Sequence, residues 1–114
     1  MTHTDCLFCG IAAGETSADV VHRDEDLVAF RDINPQAPTH ILVIPRKHIA
    51  SVDDLATGDA ELVGKLFLAA KELAAREGLD GYRLVMYTGE RAGQSVFHIH
   101  LHLLGGRAMR WPPG

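Results

Sequence analysis

No apolar run in this chain approaches the roughly 18 residues that would span a bilayer. The first residues, Met1-Thr2-His3-Thr4-Asp5-Cys6, carry no basic flank and no long apolar stretch, so they do not read as a secretory signal. A cytoplasmic location with no membrane contact is the expectation. Basic residues are also scarce: 11 Lys and Arg stand against 15 Asp and Glu, for a formal net charge of −4. That balance excludes broad binding to a nucleic-acid backbone, which needs clustered cations to displace counterions. A small anion held in a local pocket is still allowed. Cysteine is limited to Cys6 and Cys9, too few for a disulfide scaffold. Their Cys-x-x-Cys spacing in a cytosolic chain points to metal or redox chemistry. Repeats, low-complexity tracts and interdomain linkers are all absent.

What is present is enough apolar material for one core. Hydrophobic residues make up 46% of 114, which excludes disorder as the main state and suits a single domain over residues 1–114. Residues 6–13 read as a short helix ended by Gly14. Strands are predicted at 20–22, 27–33, 40–45, 82–87 and 96–104. The prolines of Asn34-Pro35-Gln36-Ala37-Pro38 demand a loop. A long helix is predicted from Asp59 to Glu77. Leu62, Val63, Leu66, Phe67, Ala70, Leu73 and Ala74 form its apolar stripe, and Gly78 ends it. One long helix, one short helix and about five strands on short connections predict an α+β fold with an antiparallel sheet.

Seven histidines are unusual in a chain of 114 residues, and three of them alternate in His98-Ile99-His100-Leu101-His102. Alternate residues of a strand share a face. His98, His100 and His102 would face one way, with Phe97, Ile99, Leu101 and Leu103 packed on the helix. A solvent-facing strand would rather use Thr, Lys or Glu. A three-histidine zinc site would be strained, because the outer pair are ~7 Å apart. An anion and nucleophile site is favoured by Gly93-Gln94-Ser95-Val96, where Gly93 permits close backbone approach and Gln94 and Ser95 can donate to phosphoryl oxygens.

His98-Ile-His-Leu-His102-Leu-Leu resembles the signature of the histidine triad (HIT) superfamily of nucleotide hydrolases and transferases. Residues 32–40, 43–48, 93–96 and the tail from Gly105 to Trp111-Pro112-Pro113-Gly114 resemble its histidine triad nucleotide-binding branch. The resemblance covers nearly the whole chain and implies the HIT-like fold. It also implies two-step chemistry at the α-phosphorus of a purine nucleoside 5′-phosphoramidate. His100 would be the nucleophile, His102 would contact phosphate, and His40 would support the triad. Gln94, Ser95 and the Val96 backbone would hold the phosphate, with Ser95 a candidate proton donor to the leaving amine. Phe8, Phe30 and Ile33 match base-contacting positions, and Asp32 matches the carboxylate that holds the ribose. AMP, GMP or their phosphoramidates are the implied partners, bound by a homodimer in which Trp111 nears the other subunit's pocket. One departure stands out: Tyr87 occupies a position where the family usually has an asparagine that contacts phosphate.

The same resemblance completes a zinc site of Cys6, Cys9, His48 and His98. Four protein ligands leave no open position, so that zinc would be structural and would steady the strand beside His100. A redox pair, two buried apolar cysteines or a decayed site are the alternatives. For the activity, the alternatives are a dinucleoside polyphosphate hydrolase or nucleotidyl transferase of the same superfamily, or a purine-nucleotide binding protein with little turnover.

Overall fold

A computed structural model describes residues 5–114. The short helix α1 (Leu7–Ala12) is followed by strands β1 (Val20–Arg23), β2 (Leu27–Arg31) and β3 (Thr39–Pro45). The long helix α2 (Ala60–Arg76), then β4 (Tyr82–Val85) and β5 (Leu101–Gly105), complete the order. The strands form one five-stranded sheet in the order β1-β2-β3-β5-β4, every neighbour antiparallel. The fold is α+β. No helix among the described residues is long and apolar enough to cross a membrane.

Strand alternation sorts the sheet into two faces. Ala29, Ile41, Val43, Leu101 and Leu103 point toward α2, where Leu66, Ala70, Leu73 and Ala74 complete the larger core. Val28, Phe30, Leu42 and Ile44 point the other way and pack under Phe8, Ile11 and Ala12 of α1. α2 is terminated by Gly78, just past its Glu77 cap, where a φ of 69° would strain any side chain. Lys47 and Asp59 fasten the other end, with Nζ 2.6 Å from the carboxylate, while that carboxylate also accepts from the Ala56 amide at 2.9 Å.

The structure corrects the triad strand. β5 begins at Leu101, so only His102 of the three histidines lies in the ladder; residues 94–100 form an irregular approach to it. Pairing with β3 stops at Val43 opposite Leu101. Beyond that point Pro45 has no amide to donate, and its carbonyl accepts from His98 Nε2 at 2.8 Å. The Ile99 amide bonds the Ile49 carbonyl at 2.8 Å instead of a strand partner. The expected alternation survives: Ile99, Leu101 and Leu103 lie in the α2-side core, and the three histidines are buried. β4 stops at Val85, opposite His102, because its neighbour ends there, so Met86 and Tyr87 leave the sheet. β2 likewise ends at Arg31, short of Ile33.

Two aromatic residues differ from expectation. Phe97, expected under α2, is 48% exposed because it lies on the irregular approach. Phe67, placed on the apolar stripe, is 45% exposed because it lies on the flank of α2 away from the sheet.

Candidate functional site

A pocket of about 280 Å³ opens between α1, the end of β2 and the triad, near the lower end of the range for small-ligand sites. Phe8 and Phe30 meet edge to face in its wall, with ring centroids 5.4 Å apart. Asp32, Ile33, Ser95, Val96, His100 and His102 also line it. Eight of the ten expected substrate contacts therefore converge on one cavity. A larger, more open depression of about 560 Å³ lies between Tyr82-Arg83 and Gly106 to Met109, but no histidine or cysteine lines it.

The hydrogen bonds assign the imidazole tautomers. His100 Nδ1 lies 2.7 Å from the His98 carbonyl, which can only accept. His100 therefore carries its proton on Nδ1 and presents a bare lone pair on Nε2. The Gln36 amide donates to His40 Nδ1 at 3.0 Å, so the His40 proton sits on Nε2. That proton is donated to His102 Nδ1 at 2.8 Å. His102 must then hold its own proton on Nε2. Among the described residues, His102 Nε2 is the buried side-chain polar atom left without a partner. A buried donor without an acceptor is costly, and an incoming oxyanion would satisfy it. Asp32 stands 3.4 Å from His40 Nε2 and also accepts from the Asn34 amide at 2.8 Å.

The family-model comparison matches the HIT domain over residues 13–109. The chain belongs to the HIT domain family. A HIT family hydrolase from Legionella pneumophila is 58% identical, with 96% of this chain and 99% of that chain covered and a TM-score of 0.94. An uncharacterised HIT-like protein of Synechococcus elongatus is 50% identical over 96% of this chain and 97% of its own length. A Zn-bound histidine triad family protein from Mycobacterium smegmatis is 34% identical, with 91% of this chain and 76% of that chain covered and a TM-score of 0.81.

Beside this HIT pocket lies the second group. The ligand atoms of Cys6, Cys9, His48 and His98 all fall within 4.8 Å of one another. Cys9 Sγ is 3.1 Å from His48 Nδ1, and both sulfurs are 3.4 Å from His98 Nδ1. The donor set fits zinc, which favours two thiolates and two imidazoles. His98 fits it in detail, since its Nε2 proton goes to the Pro45 carbonyl and the Nδ1 lone pair is left facing the sulfurs. Burial, then Cys6, push the Cys9 thiol up to about 12. A cation among these atoms reverses that preference, because a coordinated thiol is held as thiolate.

Two expected contacts lie elsewhere. The Gln94 side chain spends its amide on the backbone, donating to the Ala50 and Val96 carbonyls at 2.8 and 3.1 Å and accepting from the Gly89 amide at 2.8 Å. It shapes the loop and lines no part of the pocket. Trp111 is 84% exposed and is absent from its own chain's pocket, having been assigned by resemblance to the other subunit's. The carbonyls of Pro45 and His98 had no signal in the sequence, whereas Tyr87 was marked by its departure from the family pattern.

Burial lowers the pKa of His40, His100 and His102, that of His102 to about 4, helped by the neighbouring His100 and His40. The folded rings therefore stay neutral where the unfolded chain, at the ordinary value of 6.5, takes up protons. Their contribution to stability is complete above 6.5 and drains away as pH falls toward the folded values. The melting temperature should fall between pH 6.5 and about 4, and His102→Asn should show a smaller fall across that window. Equal falls in the two proteins would assign the acid loss to other groups.

Proposed function

We propose that this HIT protein is a nucleotide hydrolase that acts at the α-phosphorus of purine nucleoside 5′-phosphoramidates and passes through a nucleotidyl-His100 intermediate. The observation that carries the reading is the neutral His100 ring with its Nε2 lone pair in the pocket and its proton committed to a backbone carbonyl. An imidazole nucleophile needs that arrangement: a free nitrogen to attack, and an acceptor behind it to support the charge that develops. The His102 Nε2 proton is available to a phosphoryl oxygen. Phe8, Phe30 and Ile33 offer a base wall, and Asp32 offers a carboxylate for ribose hydroxyls. Ser95 stands in the lining as the proton donor to the leaving amine.

In this reading Cys6, Cys9, His48 and His98 hold zinc. The metal's part is to fix the loop that carries His98, and the reaction takes place on His100.

The test compares adenosine 5′-phosphoramidate with a diadenosine polyphosphate in parallel assays, with AMP binding measured separately. Faster turnover of the phosphoramidate is expected. Preference for the dinucleotide would move the protein to the other hydrolytic branch of the superfamily. Tight AMP binding without turnover of either would make it a binding protein, a reading favoured by one observation, the Tyr87 hydroxyl beside the nucleophile.

A further inference from the structure

The reaction assigned to His100 makes no use of Tyr87. It left β4 early, and its side chain turns into the pocket wall. Its ring stands edge-on to His100, with centroids 5.4 Å apart and planes at 84°, and is tilted against His102 at 5.1 Å. Gly93 lies beside it: a Cβ there would be in ordinary contact with the ring at 3.8 Å, but the backbone φ of 105° is one that side chains rarely adopt. The Tyr87 hydroxyl lies 3.3 Å from His100 Nε2, a long hydrogen bond. The direction is settled by the rest of the network. His100 has its proton on Nδ1, so Nε2 can only accept and the phenol must donate. Burial, then Asp32, raise the Tyr87 pKa, so the phenol keeps its proton at neutral pH. A donor is thus aimed at the one lone pair that has to attack phosphorus.

We propose that Tyr87 is a catalytic residue that shortens the life of the nucleotidyl-His100 intermediate by competing with phosphorus for the Nε2 lone pair. The inference rests on the nucleotidyl-transfer reading above and adds a residue to it. In the first step the Nε2 pair forms the N–P bond. The bond from phosphorus to the amine breaks, and the leaving nitrogen keeps that pair and takes up a proton from Ser95, which solvent replaces. The Tyr87 hydrogen bond is given up as the N–P bond forms. In the second step a water oxygen bonds phosphorus, one water proton passes to solvent, and the N–P pair returns to Nε2. The tyrosine bond then re-forms. An interaction made by the free enzyme and lost in the adduct shifts the balance between them against the adduct, by as much as that interaction contributes. One neutral hydrogen bond corresponds to a factor of about three to ten.

Tyr87→Phe removes the hydroxyl and keeps the ring. During steady turnover of adenosine 5′-phosphoramidate, quenching in alkaline denaturant and intact-protein mass spectrometry without acid would read the fraction of chains carrying the nucleotidyl group. The adduct-to-free ratio should rise about three- to tenfold in the variant. kcat and KM should fall together as the second step becomes limiting, while AMP affinity and melting temperature stay near wild type. An adduct ratio equal to or below that of wild type would overturn the proposal, since the hydroxyl would then be neutral or would favour the adduct. Tyr87→Leu, which also lacks the hydroxyl, gives the same comparison where the phenylalanine variant fails to fold. Turnover in wild type with an unchanged ratio in the variants would sink the Tyr87 role alone. Absence of both turnover and adduct in wild type would sink the hydrolase reading, and the Tyr87 role with it.

Discussion

His100→Ala is expected to lower turnover by roughly four to six orders of magnitude, the scale of removing a covalent nucleophile. Nucleotide affinity should change little, because Phe8, Phe30, Asp32 and His102 stand on other parts of the pocket wall. The separation of the two effects is the point of the experiment. The lone pair on Nε2 is used only when phosphorus is attacked, so its loss falls on the chemical step. His100 also packs edge-on to Phe8 at 5.0 Å, so the variant's melting temperature and AMP binding should be measured beside its rate. Turnover within tenfold of wild type would remove His100 from the nucleophile's role. A comparable loss of AMP binding would mean that the ring serves the pocket and not the reaction.

Cys6→Ser is expected to strip the metal from purified protein, which in wild type should carry about one zinc per chain. The four residues come from the start of α1, the loop after β3 and the approach to β5, so an ion held by them would tie three separate segments together. An ion bound only by the folded chain stabilises it by mass action. Its removal by mutation or by a strong chelator should lower the melting temperature by about 10 °C or more. Activity should survive in part, since the attacking nitrogen belongs to His100. A catalytic zinc on three histidines predicts the reverse: chelation would stop turnover, and Cys6→Ser would keep its metal. Elemental analysis of both proteins, with activity before and after chelation, separates these outcomes. A metal-free wild type with full activity would leave the cysteines as packing residues.

The fold was legible wherever side-chain pattern decides structure. Period-two alternation placed Leu101 and Leu103 toward α2, and the 3.6-residue stripe placed Leu66, Ala70, Leu73 and Ala74 in the core. Pattern could not show where a contact surface ends, so Phe67 and Phe97 were assigned to a core that leaves them half exposed. The start of β5 was hidden for another reason. It is set by which carbonyls and amides are already engaged, and Pro45 and Ile49 engage them from distant parts of the chain. The site divides in the same way. Phe8, Phe30, Asp32, His100 and His102 could be named from motif positions, and they meet in one pocket. Their protonation states could not, because the deciding acceptor behind His100 is a main-chain oxygen, which every residue possesses. Gln94 shows the converse. Its residue type suggested a ligand for phosphate, but two backbone groups of its own loop and the distant Ala50 carbonyl occupy it.

Residue 98 faces two ways at once, its ring among the cysteines and its carbonyl on His100. The two contributions answer differently to mutation. Any substitution at this position discards the ring and keeps the oxygen, so evolution can erase the candidate metal site here without erasing the acceptor behind His100. What can disturb the acceptor is displacement of the loop, and the cluster resists that from one side as the Ile99 amide on the Ile49 carbonyl does from the other. A lineage that lost both cysteines would therefore be expected to keep its chemistry and lose thermal tolerance first. A metal held there would be dispensable for orienting the His100 ring, and valuable for keeping it so when the protein is hot.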